Sequence, residues 1–160
     1  MSTQKPSDRE IEIVDFAEET KEAVKTLNIE WLEKYFRVEP SDIIQLADPV
    51  GEIIDKGGLI FYAKYKGEIV GTAALMKIND KRYELAKMAV TDRMQGLGIG
   101  AVLMDHSIHL AQQLSASSLV LYSNTKLASA IHLYRKYGFV EVPLGDVHYE
   151  RANIKMEKIM

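Results

Sequence analysis

The chain has 160 residues, of which 47% are hydrophobic and 27% are charged, and its formal net charge is −3. This balance predicts one globular domain, spanning residues 1–160, and no strongly basic surface for nucleic acid. The sequence contains no Cys, which excludes disulfides and thiolate nucleophiles. The chain also carries no long apolar run and no apolar leader, so we expect a cytoplasmic protein without a membrane partner.

The first third of the chain carries one strand pattern followed by helical patterns. Residues 11–16 alternate apolar and acidic side chains, which predicts a half-buried strand. Residues 40–42 (Pro-Ser-Asp) predict a break and an N-cap for a short helix through Leu46. The segment 18–35 predicts one or two amphipathic helices, with an apolar face formed at four-residue spacing by Ala23, Leu27, Trp31 and Tyr35.

The rest of the chain predicts a strand meander and then alternating helices and strands. Lys66-Gly67 and Asn79-Asp80 suit tight turns between the first three strands. Gly138 suits the C-terminal cap of a helix. The predicted strands are 59–65, 68–78, 82–90, 119–123, 139–142 and 151–159, and the predicted helices are 99–114 and 127–137. We therefore predict an α/β (α+β) fold with a mixed, mostly antiparallel sheet of about seven strands flanked by about four helices.

Three glycines at alternate positions, in the stretch QGLGIG, precede the helix predicted at residue 99. Unpaired N–H groups at a helix start, at the positive end of the helix dipole, bind phosphate without a dedicated cation. Gly96, Gly98 and Ala101 also match the dinucleotide fingerprint. That alternative is disfavoured because the next strand ends in Ser123-Asn124 without an acid, and because the preceding strand belongs to an antiparallel meander rather than a parallel β-α-β unit.

Two motifs together resemble one family. Gln95-x-x-Gly98-x-Gly100, followed by a helix, a strand and Tyr134-x-x-x-Gly138-Phe139, resembles the GNAT superfamily of acyl-CoA-dependent N-acetyltransferases over about residues 59–140. A second register that begins at Arg93 also matches the first motif. We prefer the Gln95 register, because it leaves residues 90–92 at the strand end.

The resemblance implies that acetyl-CoA is the acyl donor, with its pantetheine arm along the end of the strand 84–90 and its pyrophosphate on the glycines. Asn124 matches a position whose side chain often reaches the same arm, and an N-cap for the helix that follows is an equally good interpretation. No metal site is expected, since His106 and His109 have no acidic or Cys partner. The expected coenzyme-binding residues are Met88, Ala89, Val90, Gln95, Gly96, Leu97, Gly98, Ile99, Gly100, Ala101, Asn124 and Tyr134.

Two side chains are candidates for the chemistry. Glu84 lies where some members of the family place a catalytic carboxylate, and Tyr134 matches the tyrosine that protonates the departing thiolate. Strand alternation would place Glu84, Ala86, Met88 and Val90 on one face. The strand from Glu84 to Met88 measures about 13 Å, so the amine must lie between them or a water must relay the proton. The structural alternatives are a solvated Glu84 beside Arg82 and a core tyrosine at position 134.

The acceptor is the least defined part of the prediction. The resemblance assigns acceptor binding to the helices in residues 18–46 and to the loop near His148, which is equally consistent with a surface loop. The expected function is acetyl transfer by direct attack to a primary amine of an unidentified small molecule or peptide, with a CoA-binding regulatory or assembly module as the alternative. The sequence leaves open whether the protein forms a homodimer. An aromatic wall with one cation, or simply core packing, would account for Trp31, Tyr35, Phe36 and Arg37.

Overall fold

The computed structural model describes residues 10–146 and 149–160, and its centre is a seven-stranded sheet. Its spatial order is β1-β2-β3-β4-β5-β7-β6. Only β4 and β5 pair in parallel, and every other recorded pair is antiparallel. The prediction of a mixed, mostly antiparallel sheet is confirmed. The strands are β1 (Ile11–Asp15), β2 (Leu59–Tyr65), β3 (Glu68–Lys77), β4 (Arg82–Val90), β5 (Ser118–Ser123), β6 (Val140–Val142) and β7 (Ile154–Ile159).

Helices cover both faces of the sheet. Val24 and Leu46, from the first two helices, pack with Tyr62 on one face, while Leu103 and Ile131 from the last two pack on the other. Within residues 10–146 and 149–160, no helix combines the length and the apolarity that crossing a membrane requires. The helices are α1 (Lys21–Tyr35), α2 (Pro40–Ala47), α3 (Ile99–Gln113) and α4 (Ala128–Lys136).

The first two helices differ from their predictions in detail. Pro40 is the first residue of α2 and Glu39 is its N-cap, so the cap predicted within residues 40–42 is wrong. Proline suits this position because the first N–H groups of a helix have no partner within the helix. The buried stripe of α1 consists of Val24, Leu27, Asn28 and Leu32, rotated from the predicted face.

A bulge in β4 changes which residues share a face. Thr72 pairs with Ala89 but Ala74 pairs with Ala86, so two residues of β4 oppose Ala73. One of them, Lys87, has a left-handed backbone with a φ of 55°. Because a one-residue shift reverses the faces that follow, Val90 lies on the face opposite Glu84, and the prediction that they share a face is wrong.

The unit β4–α3–β5 is a parallel β-α-β unit, contrary to the sequence prediction. β4 is both the last strand of the antiparallel meander and the first strand of this unit. Its pairing with β5 ends early, however, at Glu84 and Val120. The two strands therefore diverge towards their carboxyl ends, and this divergence creates the site described next.

Candidate functional site

A cavity of about 510 Å³ opens where β4 and β5 diverge. Its walls come from the second half of β4, the start of α3, the end of β5, one side of α4 and the second half of α1. Every predicted coenzyme-binding residue except Leu97 lines it. Leu97 instead packs, partly buried, against the hydrophobic core. The fold thus places around one cavity predicted residues that are up to 46 positions apart in sequence, from Met88 to Tyr134.

The glycines form the floor of this cavity at the N-terminus of α3. Gly96 and Gly98 have left-handed φ values of 76° and 86°, and Gly98 is the N-cap. A Cβ built on Gly96 meets nothing within 4 Å among the described residues. The first recorded bond into the helix runs from Val102 N–H to the Gly98 carbonyl at 3.2 Å, so the N–H groups just before Val102 are available to an anion. The Ile99 side chain is buried in the core, which leaves only its backbone for this role.

The geometry distinguishes the two registers of the glycine motif. The Gln95 side chain lines the cavity, and its Nε2 donates to the Val90 carbonyl at 2.9 Å. Arg93 does not line the cavity and pairs with Glu68 on the surface at 2.5 Å. The arrangement therefore favours the Gln95 register. It also means that one lone pair of the Val90 carbonyl is already used.

Asn124 lines the cavity but does not cap α4. The N-cap of that helix is Leu127, so the capping interpretation is wrong. The Asn124 amide accepts a bond from Lys126 N–H at 2.9 Å and donates to the Arg151 carbonyl at 2.8 Å. It thus ties the β5–α4 turn to the segment before β7.

Tyr134 projects from α4 into the wall of the cavity, against the end of β5. Its ring packs edge-on against Phe139 with centroids 6.2 Å apart. Burial raises the pKa of the Tyr134 hydroxyl, and a hydrogen bond with Ser123 opposes that shift only in part. The hydroxyl is therefore neutral throughout the physiological pH range.

Glu84 is a buried residue of the cavity wall, so the solvated-surface alternative is wrong. It is 7% exposed and pairs with Met76 on one side and Val120 on the other. Its position at the last β4–β5 pair places it at the closed end of the divergence. A carboxylate in such a place can exchange a proton with a group inside the cavity.

A buried charged cluster, which the sequence did not reveal, borders the same cavity, and three of its members, Asp42, Lys87 and Arg151, line it. Asp42 is fully buried and accepts bonds from Arg151 at 2.7 and 2.9 Å and from Lys87 at 3.3 Å. Glu39 accepts a further bond from Arg151 at 3.0 Å. The available signals were a Lys inside an apolar strand and an Asp in the first turn of a helix, and both patterns are also common on surfaces. We call Glu39, Asp42, Lys87 and Arg151 the buried ion cluster.

The predicted aromatic wall is present in part. Trp31 and Phe36 line the cavity, with ring centroids 5.5 Å apart, and Tyr35 packs behind Trp31. Two lysines lie beside these rings, with Lys126 Nζ 3.9 Å from the Phe36 ring centre and Lys34 Nζ 5.1 Å from that of Tyr35. Arg37 instead pairs with Glu150 on the surface. His148 lies outside the described residues.

The two histidines of α3 lie away from the cavity. His106 packs edge-on against Phe61, and its ring centre is 6.4 Å from that of His109. Among residues 10–146 and 149–160, no three His, Cys, Asp or Glu side chains lie close enough together to hold a metal ion.

Known proteins share both the sequence pattern and the fold. The family model described as "Acetyltransferase (GNAT) family" matches residues 20–139. The uncharacterized N-acetyltransferase YvbK of Bacillus subtilis (strain 168) is 29% identical over 61% of this chain and 65% of its own length. The streptothricin acetyltransferase of Streptomyces lavendulae is 33% identical over 52% of this chain. The match to the latter spans 45% of its length, so this chain covers about half to two thirds of these curated relatives.

Solved structures agree over nearly the whole chain. A GNAT-family acetyltransferase from Staphylococcus aureus Mu50 superimposes with a TM-score of 0.84 at 22% identity, over 93% of this chain and 98% of its own. The PaiA N-acetyltransferase from Thermoplasma acidophilum, solved in complex with coenzyme A, gives a TM-score of 0.72 at 17% identity, over 94% and 99%. At such identities the superpositions establish the fold. Together with the family match over residues 20–139, they show that this chain belongs to the acetyltransferase (GNAT) family.

Proposed function

We propose that the protein transfers the acetyl group of acetyl-CoA to a primary amine of a small molecule or peptide by direct attack. The observation that carries the proposal is that one cavity contains a glycine-rich helix start, the open edge of β4, Tyr134 and Glu84. A direct mechanism is favoured because the chain has no Cys to form an acyl-enzyme.

The cavity offers binding groups for two parts of the coenzyme, the pyrophosphate and the amide-rich pantetheine arm. The left-handed glycines 96 and 98 expose backbone N–H groups that can bind a pyrophosphate, and no side chain at Gly96 obstructs the approach. The edge of β4 beyond Glu84 has no pairing with β5, and an amide-rich arm can take those hydrogen bonds. When bound there, acetyl-CoA supplies the activated acyl group.

Glu84 is the proposed general base. An alkylamine with a pKa near 10 is almost entirely protonated at neutral pH, so it must lose a proton before its nitrogen can attack. Glu84 accepts this proton directly or through a water, given the length of strand between it and Met88.

Tyr134 is the proposed general acid. Its neutral hydroxyl donates a proton to the sulfur as the C–S bond breaks. Backbone N–H groups at Met88 or Ala89, beside the bulge, would polarise the thioester carbonyl as oxyanion donors do in other enzymes.

Two measurements, made one after the other, test the proposed function. Thermal unfolding with millimolar CoA tests the coenzyme site, since a ligand at 100 times its Kd adds about 2.7 kcal/mol to the free energy of unfolding. Thiol release from acetyl-CoA is then followed with butylamine, 1,4-diaminobutane, 2-phenylethylamine and a lysine-containing peptide. The absence of a thermal shift would end the coenzyme proposal. A shift without amine-dependent thiol release would instead indicate a CoA-binding module without turnover.

The proposed function includes a cellular location. A chain without Cys is suited to the cytoplasm as well as to any other compartment, and we retain the cytoplasm as the proposed location.

A further inference from the structure

The buried ion cluster joins three segments that are distant in sequence. Asp42 lies on α2, Lys87 lies at the β4 bulge, and Arg151 lies just before β7. Glu39 completes the cluster by accepting bonds from the backbone N–H groups of Glu150 at 2.7 Å and Arg151 at 3.3 Å. The carboxylates of α2 therefore hold both the backbone and the side chain of the segment 149–151.

Such a cluster adds little net stability to a fold, because its charged groups lose their hydration when they are buried. Asp42 is fully buried, and the side chains of Lys87 and Glu39 are 4% and 6% exposed. Desolvation of buried ion pairs often cancels their attraction, so an apolar contact would stabilise the helix as well. Yet α2 has only two buried residues, Asp42 and Leu46. What the cluster supplies is a fixed position for α2 and for the segment 149–151.

The residue held in place by this arrangement is Tyr149. It is 7% exposed and lines the cavity that also contains Glu84. Its ring centre lies 4.6 Å from the Arg151 guanidinium and 5.3 Å from Lys87 Nζ, which brings two members of the cluster against the ring. Burial, and next the charge of Glu84, raise the pKa of the Tyr149 hydroxyl.

We propose that Tyr149 contacts the acceptor amine, and that Glu39, Asp42 and Arg151 are positioning residues that hold it beside Glu84. The proposal rests on the proposed acetyl transfer and assigns the acceptor end of that reaction. The neutral hydroxyl oxygen accepts a hydrogen bond from the amine and directs the nitrogen towards Glu84. The glycines and Tyr134 belong to the donor end, so a change at Tyr149 affects the acceptor selectively.

The direct test is Tyr149→Phe, which removes one hydroxyl and leaves every ion pair of the cluster in place. With whichever of the four amines gives the fastest wild-type thiol release, the acceptor KM rises about tenfold, the loss expected for one hydrogen bond to a charged group. The KM for acetyl-CoA stays unchanged. Tyr83→Phe is the control, because Tyr83 is buried in the same strand as Glu84 but does not line the cavity.

The positioning role is tested with Asp42→Asn and Glu39→Gln below their unfolding temperatures. If Asp42 and Glu39 position Tyr149, each variant raises the KM for the acceptor and leaves the KM for acetyl-CoA unchanged. A purely structural role instead lowers the active fraction, and thus kcat, at constant acceptor KM. Glu157→Gln is the control, since it breaks the half-buried Arg82–Glu157 pair, which does not line the cavity.

The outcomes separate the two proposals. Wild-type turnover with an unchanged acceptor KM in Tyr149→Phe overturns the role of Tyr149 and leaves the acetyl-transfer proposal standing. If Tyr149→Phe raises the acceptor KM but Asp42→Asn and Glu39→Gln do not, the positioning role is overturned. A wild-type protein that binds CoA but acetylates none of the four amines overturns the acetyl-transfer proposal together with this inference.

Discussion

At the scale of single residues, Glu84 and Tyr134 are titratable groups placed in one cavity by different elements. Glu84 comes from β4 and Tyr134 from α4. Glu84 is buried, Tyr134 is partly buried and both line the cavity, so each can exchange its proton with a molecule bound there. Their proposed roles require opposite protonation states at neutral pH, a carboxylate and a neutral phenol.

We expect Glu84→Gln to lower the amine-dependent rate about 100-fold at pH 7, because no group then accepts the proton of the amine. The loss should shrink towards pH 10, where solvent deprotonates the amine. The pH–rate profile of the variant thus moves to alkaline values. Glu68→Gln, on the exposed start of β3, should match the wild type. An unchanged profile in Glu84→Gln would remove the base role from Glu84.

We expect Tyr134→Phe to lower kcat about 100-fold while the Kd for CoA changes little, because the hydroxyl acts on the leaving sulfur. The active form is the neutral phenol, and burial raises its pKa above the usual value near 10. Wild-type kcat should therefore show no loss from this group as the pH rises to about 10. Steady-state thiol release measures kcat, and calorimetry of CoA binding measures the Kd. An undiminished kcat would contradict the assignment.

At the scale of elements, the bulge in β4 determines the direction in which side chains of the cavity wall point. It turns Lys87 towards Asp42 of α2 and reverses the face of Val90. The Lys87 carbonyl is held by the Asn28 amide of α1 at 3.2 Å, which fixes the bulge from the same side. One irregular strand position thereby connects the donor end of the cavity with the buried ion cluster.

The glycine loop can be tested with a matched pair of glycines. Gly96 and Gly67 have φ values of 76° and 79°, and a Cβ at either position meets no atom of residues 10–146 and 149–160 within 4 Å. Alanine at either site should cost about 1 kcal/mol of the free energy of unfolding, because both backbones are left-handed. Only Gly96→Ala should weaken CoA binding, by about tenfold, because only Gly96 lines the cavity. Equal CoA affinities of the two variants would refute the bare-backbone cradle.

At the scale of the whole molecule, the buried ion cluster links stability to pH. Burial alone would raise the pKa of Asp42, but bonds from Arg151 and Glu39 N–H and the charge of Lys87 outweigh it and lower the pKa. A lowered folded-state pKa gives stability that is present above the unfolded pKa, about 3.9, and is lost as the pH falls through the folded value.

We expect Asp42→Asn to lower the free energy of unfolding by about 3 kcal/mol at pH 7, because the buried Lys87 loses its hydrogen-bonded carboxylate and Arg151 retains only that of Glu39. The difference from the wild type should become smaller at pH 3, which lies below the unfolded-state pKa of about 3.9, because the unfolded chain then takes up the proton of Asp42. Urea unfolding at the two pH values measures both differences, with Glu68→Gln as an exposed control. A pH-independent difference would mean that Asp42 contributes through packing rather than charge.

The sequence predicted most elements because their signals are local. Alternation located β2 and β4 to the residue, and the turn at Lys66-Gly67 has the two positive φ values expected of a tight hairpin. The bulge could not be predicted in this way, since Lys87 gives no glycine signal for its left-handed backbone. Without the bulge in view, strand alternation assigned Val90 to the wrong face.

The sequence by itself determined the element order and the glycine loop with its helix, because backbone freedom and side-chain periodicity act over a few residues. Only the tertiary structure decided that β4 and β5 diverge after Glu84, and that Asp42 meets Lys87 and Arg151 from 45 and 109 positions away. Charged side chains far apart in sequence carry no periodic signal that pairs them. The proposed donor end of the site could therefore be predicted from the sequence, whereas the proposed acceptor end could be recognised only in the folded chain.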